Sequence, residues 1–165
     1  MTIVSLFIAV AILAACFIGI ALFLKVGTKK LQTQLKELET LAHNHNAQLA
    51  EHENCGDYHI ALDSTGKLLF FIMRNPDLQW DKTIDLTTKS HCKVIKQTRV
   101  SQHAEKYEII DRLALQFVGR DCNEELEFYN SAYNLKLSGE LQSIEKWNGR
   151  INQILRPLAV VPQAV

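Results

Sequence analysis

The stretch Thr65-Gly66-Lys67 has the residue types that end a phosphate-binding loop. In such a loop backbone N–H groups and a lysine hold phosphate oxygens. The motif requires a glycine five residues before the final glycine and a Ser or Thr after the lysine. Those positions hold Ala61 and Leu68. The segment also joins two strand-like runs, so we interpret it as a turn between strands.

A group of histidines and a cysteine lies between residues 43 and 55, where imidazole and thiolate groups are potential zinc ligands. The group consists of His43, His45, His52 and Cys55. His45, His52 and Cys55 share one face of the helix expected here, whereas His43 points elsewhere. A single exposed helix offers no closed tetrahedral site, so we predict no metal within one chain. A site shared across a helical dimer is the alternative.

A locally basic stretch lies between residues 89 and 106. Its candidate binding residues are Lys89, Lys93, Lys96 and Arg99. Such a patch suits anionic lipid headgroups or an acidic protein partner. The alternative is a solvated strand whose charges keep the protein soluble.

The chain carries no recognisable catalytic motif. Neither G-x-S-x-G nor H-E-x-x-H occurs, and the acidic residues form no recognisable pair. Lys plus Arg and Asp plus Glu both number 18, so the overall charge gives no reason to bind nucleic acid. We predict a protein that is not an enzyme, uses no cofactor and binds no nucleic acid. A membrane-bound enzyme of unknown class is an alternative.

An uncharged apolar run occupies residues 3–24. A helix of that length spans roughly 33 Å, enough for the hydrocarbon core of a bilayer. We therefore predict a transmembrane helix over residues 1–26. The alternative is an envelope lipoprotein processed at Cys16 in the motif LAAC. Against it, the run has no basic segment before it and continues past the cysteine.

Basic residues flank only the C-terminal side of this run, namely Lys25, Lys29 and Lys30. The positive-inside rule then puts the N-terminus outside and the C-terminal domain in the cytoplasm, at a bacterial plasma (inner) membrane. Three widely spaced cysteines lie beyond the run. An odd set of this kind is typical of a reducing compartment.

The pattern of residues 27–55 predicts a helical stalk. Apolar-type positions follow in steps of four and three, which is the spacing of a coiled-coil seam. A polar stalk that continues the membrane helix is the favoured interpretation. The alternative is a homodimer through a short coiled coil at Leu31, Leu35 and Leu38, which confinement to a membrane would favour.

From residue 57 the sequence changes to short strands followed by one helix. The runs at 58–62 and 68–73, with turn residues between them, predict a hairpin. Further strands are expected at 84–86, 92–100, 107–118 and 125–129. A stripe at helical spacing from Leu141 to Leu155 predicts an amphipathic helix that Pro157 ends. Residues 157–165 are expected to be a disordered tail.

Three features in this order resemble the pleckstrin-homology-like fold: the hairpin YHIALDSTGKLLFFI, the pair LALQFVGRDCNEELEFYN, and the final helix with Trp147. The resemblance covers residues 57–156 and is to bacterial membrane-anchored proteins of unknown function. It implies an α+β fold in which a strongly bent antiparallel sheet of six or more strands is closed by a C-terminal helix. It implies a binding or scaffolding module and identifies no functional residue.

From these features we expect a single-pass membrane-anchored binding or scaffolding protein. Its cytoplasmic β-rich domain is expected to contact a protein or an anionic lipid surface. The lipoprotein and the membrane-bound enzyme are the alternatives.

Overall fold

The computed structural model describes residues 32–76, 78–101, 107–119, 123–134 and 136–158. The chain divides into two compact units, residues 1–37 and 38–165. In the first unit the described residues, 32–37, are helical. They belong to helix α1, residues 32–44, whose remaining turns lie in the second unit. The fold described below is that of the second unit.

The first sheet of this unit is a four-stranded antiparallel meander. Its strands are β1 (Leu49–Cys55), β2 (Tyr58–Asp63), β3 (Leu68–Asn75) and β4 (Leu78–Asp85), in spatial order β1-β2-β3-β4. The predicted hairpin is confirmed, since Tyr58 pairs with Met73 and Leu62 with Leu69. Gly66 has φ +69° in the connecting turn, a left-handed conformation that glycine adopts without steric cost.

Both faces of the two central strands are buried, which explains why their sequences are apolar without alternation. Side chains such as Ile60 and Phe71 face the main core. On the opposite face, Phe70 and its neighbours pack against Leu38 and Ala42 of helix α1. The first sheet is therefore a middle layer, covered on one side by the part of α1 that carries Leu38 and Ala42.

The second sheet has three antiparallel strands in the order β5-β6-β7. They are β5 (Lys89–Val100), β6 (Glu108–Gly119) and β7 (Glu124–Asn130). Leu113, Leu115 and Phe117 alternate toward the core, as the sequence predicted. The 3₁₀ helix Leu86–Thr88 leads from β4 into β5, and the Asp85 carboxylate caps it by accepting from the Thr87 N–H.

Helix α2 (Glu140–Leu158) closes the core. Its buried stripe consists of Ile144, Trp147, Ile151 and Leu155, in agreement with the predicted amphipathic helix. The predicted end at Pro157 was wrong, because the helix continues to Leu158. The helix also makes polar contacts with an edge of each sheet. Lys146 and Arg150 pair with Glu53 and Glu51 of β1, at 2.5 and 2.9 Å.

The predicted fold class was wrong about the sheet. Instead of one strongly bent sheet, the described strands form two separate sheets, of four and three strands. The physical reason lies at the junction of β4 and β5. The capped 3₁₀ turn interrupts the extended chain there, and β5 pairs with β6 instead of with β4.

The predicted stalk was wrong as well. The helix ends at residue 44, and β1 occupies the last part of the range 27–55. Asn46 adopts φ +54°, a left-handed conformation that breaks the helix. After it, side chains alternate between half-buried and exposed, the period of a strand.

The described residues form no coiled coil. Leu38 is fully buried against the first sheet of its own chain. An apolar stripe at this spacing can thus be satisfied by a sheet as well as by a second helix. Leu31 lies outside the described residues, and a homodimer stays a prediction.

No helix in the described ranges is long and apolar enough to cross a membrane. Residues 1–26, in which the transmembrane helix was predicted, lie outside those ranges, as do Lys29, Lys30 and residues 159–165. For the part of the chain that the structure describes, the predicted stalk is therefore replaced by helix α1 and strand β1.

Candidate functional site

The turn between β2 and β3 is organised by one buried carboxylate. Asp63 is 4% exposed. Its Oδ1 accepts from the N–H groups of Lys67 and Leu68 at 2.7 and 2.8 Å. Its Oδ2 accepts from the N–H and the hydroxyl of Thr65. The remaining turn amides, of Ser64 and Gly66, donate to backbone carbonyls. Every N–H from residue 64 to residue 68 is thus used, and none is left to bind a phosphate.

An open cleft of about 530 Å³ lies beside this turn. Three segments form its walls: residues 45–48, residues 63–68 and the capped turn at Asp85 and Thr87. The Asp63 and Asp85 carboxylates that line it are already hydrogen-bonded to the turns that they cap. The cleft is therefore polar, but its two carboxylates accept hydrogen bonds from the protein's own backbone.

The histidines do not come together as metal ligands. In the described ranges no group of three His, Cys, Asp or Glu side chains could hold a metal ion. His43, His45 and His52 are all exposed, and His45 Nε2 lies 3.3 Å from the Thr83 hydroxyl.

The four basic residues predicted as a patch lie on β5 but do not form one surface. Lys89 is buried, and its Nζ lies 2.6 Å from Glu124 Oε1. Lys93 is exposed on the outer face of the second sheet. Further along the strand, two exposed ion pairs are present, Lys96–Glu108 at 3.2 Å and Arg99–Asp111 at 3.1 Å.

Strand β5 lies at an edge of the second sheet, and its hydrogen bonds show which backbone groups face outward. The N–H and C=O of Cys92 bond to helix α2, so they point away from β6. The N–H of Ser101 donates to the Tyr107 carbonyl, so it points inward. Because backbone direction alternates along an antiparallel strand, the outward positions between them are Val94, Lys96, Thr98 and Val100.

These four residues form what we call the β5 edge. Within the described part of the chain, no backbone group bonds to their outward N–H and C=O groups. β7 pairs with β6 only up to Arg112, and the β5–β6 hairpin continues beyond it. Near the end of that hairpin Val100 and Tyr107 are 62% and 55% exposed. The hairpin thus combines unpaired backbone with exposed apolar side chains.

A cluster of polar side chains lies where helix α2 meets β1 and β2. It consists of Glu53, Cys55, Tyr58 and Ser143. Burial acts to raise the pKa of Glu53, but the Lys146 ammonium and the Ser143 hydroxyl hold it below its usual range. Burial raises the pKa of Tyr58 far above normal. Burial also raises the pKa of the Cys55 thiol, with the Glu140 carboxylate adding to the effect. A raised pKa keeps the Cys55 thiol protonated near neutral pH, and the protonated thiol is a poor nucleophile.

No family model, no curated protein and no solved structure matches this chain. The resemblance to membrane-anchored proteins with a pleckstrin-homology-like domain therefore stays a prediction. The predicted location on the cytoplasmic side of a plasma membrane stays one too.

The sequence identified the basic residues of β5 but not which of its backbone groups face outward. The contacts that show this at Cys92 are made by Asn152, on the polar side of helix α2. The sequence offered one signal, a pair of asparagines four residues apart, Asn148 and Asn152. Residues with this spacing lie on the same face of a helix.

Proposed function

We propose that the β-rich domain is a protein-binding module that takes an extended acidic segment of a partner as an added strand along the β5 edge. The observation that carries the proposal is the row of outward backbone groups at Val94, Lys96, Thr98 and Val100, for which the described part of the chain provides no backbone partner. An exposed sheet edge is a ready template for another strand, and partner side chains then supply the specificity.

The size of the edge suits a transient complex. Four residues offer an outward N–H and C=O each. At about 0.5–1.5 kcal/mol of net free energy per hydrogen bond, full pairing gives roughly 4–12 kcal/mol. The cost of ordering the added segment reduces this gain. A dissociation constant in the micromolar range or weaker is therefore expected, since about 8 kcal/mol corresponds to 1 μM.

Charge favours an acidic partner over a second copy of this chain. Lys93, Lys96 and Arg99 lie along β5. Two copies paired edge to edge would bring these cations together, and like charges on paired strands are destabilising. An acidic segment would compete with Glu108 and Asp111 for Lys96 and Arg99, in ion pairs so exposed that each contributes little to stability.

An anionic lipid surface fits the β5 edge less well than a protein segment. Headgroup phosphates could pair with the cations, but they offer no row of alternating donors and acceptors for the outward N–H and C=O groups. Lys89 is buried with Glu124 and is available to neither partner. The exposed Val100 and Tyr107 are better suited to side chains of a protein segment.

A displayed library of random decapeptides tests the proposal directly. Selection on the full chain is expected to enrich extended sequences with Asp, Glu and β-branched residues. Lys96→Pro removes one outward N–H and places a ring in the path of the added strand. Because that N–H points away from β6, the β5–β6 ladder stays intact. Binding of the selected peptides should fall at least about tenfold, the equivalent of about 1.4 kcal/mol.

Lys96→Ala is the matched control, because it removes the same charge and keeps the N–H. It is expected to lose severalfold less affinity than the proline variant. Should Lys96→Pro fail to fold, as judged by its thermal transition, Thr98→Pro removes another outward N–H. A library without enrichment, or peptides that bind both proline variants as tightly as the natural chain, would refute the proposal.

A further inference from the structure

One side chain of helix α2, that of Asn152, makes the hydrogen bonds to β5 that a neighbouring strand would make. Asn152 Oδ1 accepts from the Cys92 N–H at 2.9 Å. Asn152 Nδ2 donates to the Cys92 carbonyl at 2.8 Å. A strand residue paired with Cys92 would make the same two hydrogen bonds, one accepted and one donated.

The Asn152 amide is held in the orientation that this contact requires. Its Nδ2 also donates to the Asn148 carbonyl at 2.9 Å and lies 3.1 Å from Asn148 Oδ1. A flipped amide would place Oδ1 against these two oxygens and Nδ2 against the Cys92 N–H. Both donors and the acceptor of Asn152 are thus used in one orientation.

We propose that Asn152 is a register stop: it occupies the edge at Cys92 and confines an added strand to the positions from Val94 to Val100. This inference rests on the proposed strand addition and names the residue that limits it. An antiparallel segment would then have its C-terminal end at Val94, because helix α2 already holds the next outward position.

The stop also explains how a long edge strand avoids unwanted pairing. β5 has 12 residues, and long exposed edges promote aggregation. A side chain that satisfies one outward position shortens the free edge without adding a strand. Asn152 is therefore a positioning residue for a partner segment, in addition to linking helix α2 to the second sheet.

Lengthening a bound peptide distinguishes the role of Asn152 as a register stop from its structural role as a link between helix α2 and the second sheet. The probe is a decapeptide selected on the natural chain, compared with the same peptide carrying two additional C-terminal residues. On the natural chain the extension should change the affinity less than about twofold. On Asn152→Ala it should tighten binding about fivefold, because two backbone groups of Cys92 become available.

Gln153→Ala is the matched control, since Gln153 is the exposed neighbour on the same helix; it should behave like the natural chain. Asn152→Asp keeps an acceptor for the Cys92 N–H but cannot donate to the carbonyl, so it should give an intermediate gain. A purely structural Asn152 would lower the thermal midpoint and leave the effect of the extension unchanged.

The outcomes distinguish the two proposals. Peptides that bind the natural chain but gain nothing from extension on Asn152→Ala would overturn the register stop and leave strand addition standing. A library that yields peptides only on Asn152→Ala would overturn both, because Asn152 would then exclude an added strand from β5 instead of limiting its register. A library that yields none on either protein would overturn both.

Discussion

Asp63→Asn tests how much the hydrogen bonds of the turn between β2 and β3 contribute to the stability of the fold. The Asp63 carboxylate accepts four hydrogen bonds, two at each oxygen. The amide keeps one oxygen for the N–H groups of Lys67 and Leu68 and presents an NH₂ group to Thr65. The Thr65 hydroxyl can turn and accept from that group, but the Thr65 N–H loses its acceptor. Hydrogen bonds to a charged group contribute about 1.5–3 kcal/mol each. Loss of one, together with the weakening of the others when the charge is removed, should lower the free energy of unfolding by about 2–4 kcal/mol.

Asp85→Asn is the control within the same cleft. Asp85 is exposed and accepts from the Thr87 N–H at 2.9 Å and the Thr87 hydroxyl at 2.6 Å. A cap of this kind contributes about 1 kcal/mol. Urea unfolding at pH 7 should therefore show a clearly larger loss for Asp63→Asn than for Asp85→Asn.

The contribution of the Asp63 carboxylate to the free energy of unfolding should depend on pH. Burial acts to raise the pKa of Asp63, but the Thr65 hydroxyl and the N–H groups of Leu68, Thr65 and Lys67 hold it below its usual range. A lowered pKa in the folded state means that the stabilisation is present above about pH 4, the unfolded pKa. It is lost as the pH falls through the folded pKa. The difference between the natural chain and Asp63→Asn should thus shrink at low pH.

Two results would refute this reasoning. One is an equal loss of unfolding free energy for the two asparagine variants. The other is a difference between the natural chain and Asp63→Asn that stays constant as the pH falls through and below 4.

Three further predictions concern the packing. Glu124→Gln should lower the free energy of unfolding more than Lys89→Met does. The first change leaves the buried Lys89 ammonium without its carboxylate, whereas after the second Glu124 still pairs with Lys82 at 3.1 Å. Equal urea midpoints for the two variants would contradict this. Leu38→Ala should lower the free energy of unfolding by about 2–4 kcal/mol, and a negligible change would mean that helix α1 does not cover the first sheet. The Cys92 thiol, whose pKa burial raises to about 12, should resist alkylation at pH 8 in the folded chain and react in urea; rapid labelling of the native protein, read by peptide mass mapping, would contradict its burial.

The local elements could be predicted where one physical signal dominates. The hairpin at 58–73 follows from two apolar runs around a turn with Gly66. Helix α2 follows from its stripe at helical spacing. The residues Leu113, Leu115 and Phe117 follow from alternation.

The predictions of structure were wrong where one sequence pattern is compatible with two different structures. The stripe that contains Leu38 fits a coiled coil or a sheet face, and only the tertiary contacts select the sheet. The end of helix α1 depends on the left-handed Asn46, for which asparagine is only a weak signal. The outward direction of the β5 edge was beyond prediction because the contact that shows it comes from Asn152, 60 residues away from Cys92 along the chain.

Amide hydrogen exchange along β5 would detect an added strand at the backbone groups that bind it. In the free chain, the N–H groups of Val94, Lys96, Thr98 and Val100 should exchange quickly, and those of Lys93 and Ile95 slowly. A bound acidic decapeptide should then protect the four outward amides and leave the two inward amides unchanged. Outward amides that are already protected in the free chain, or that stay unprotected with the peptide bound, would contradict strand addition at the β5 edge.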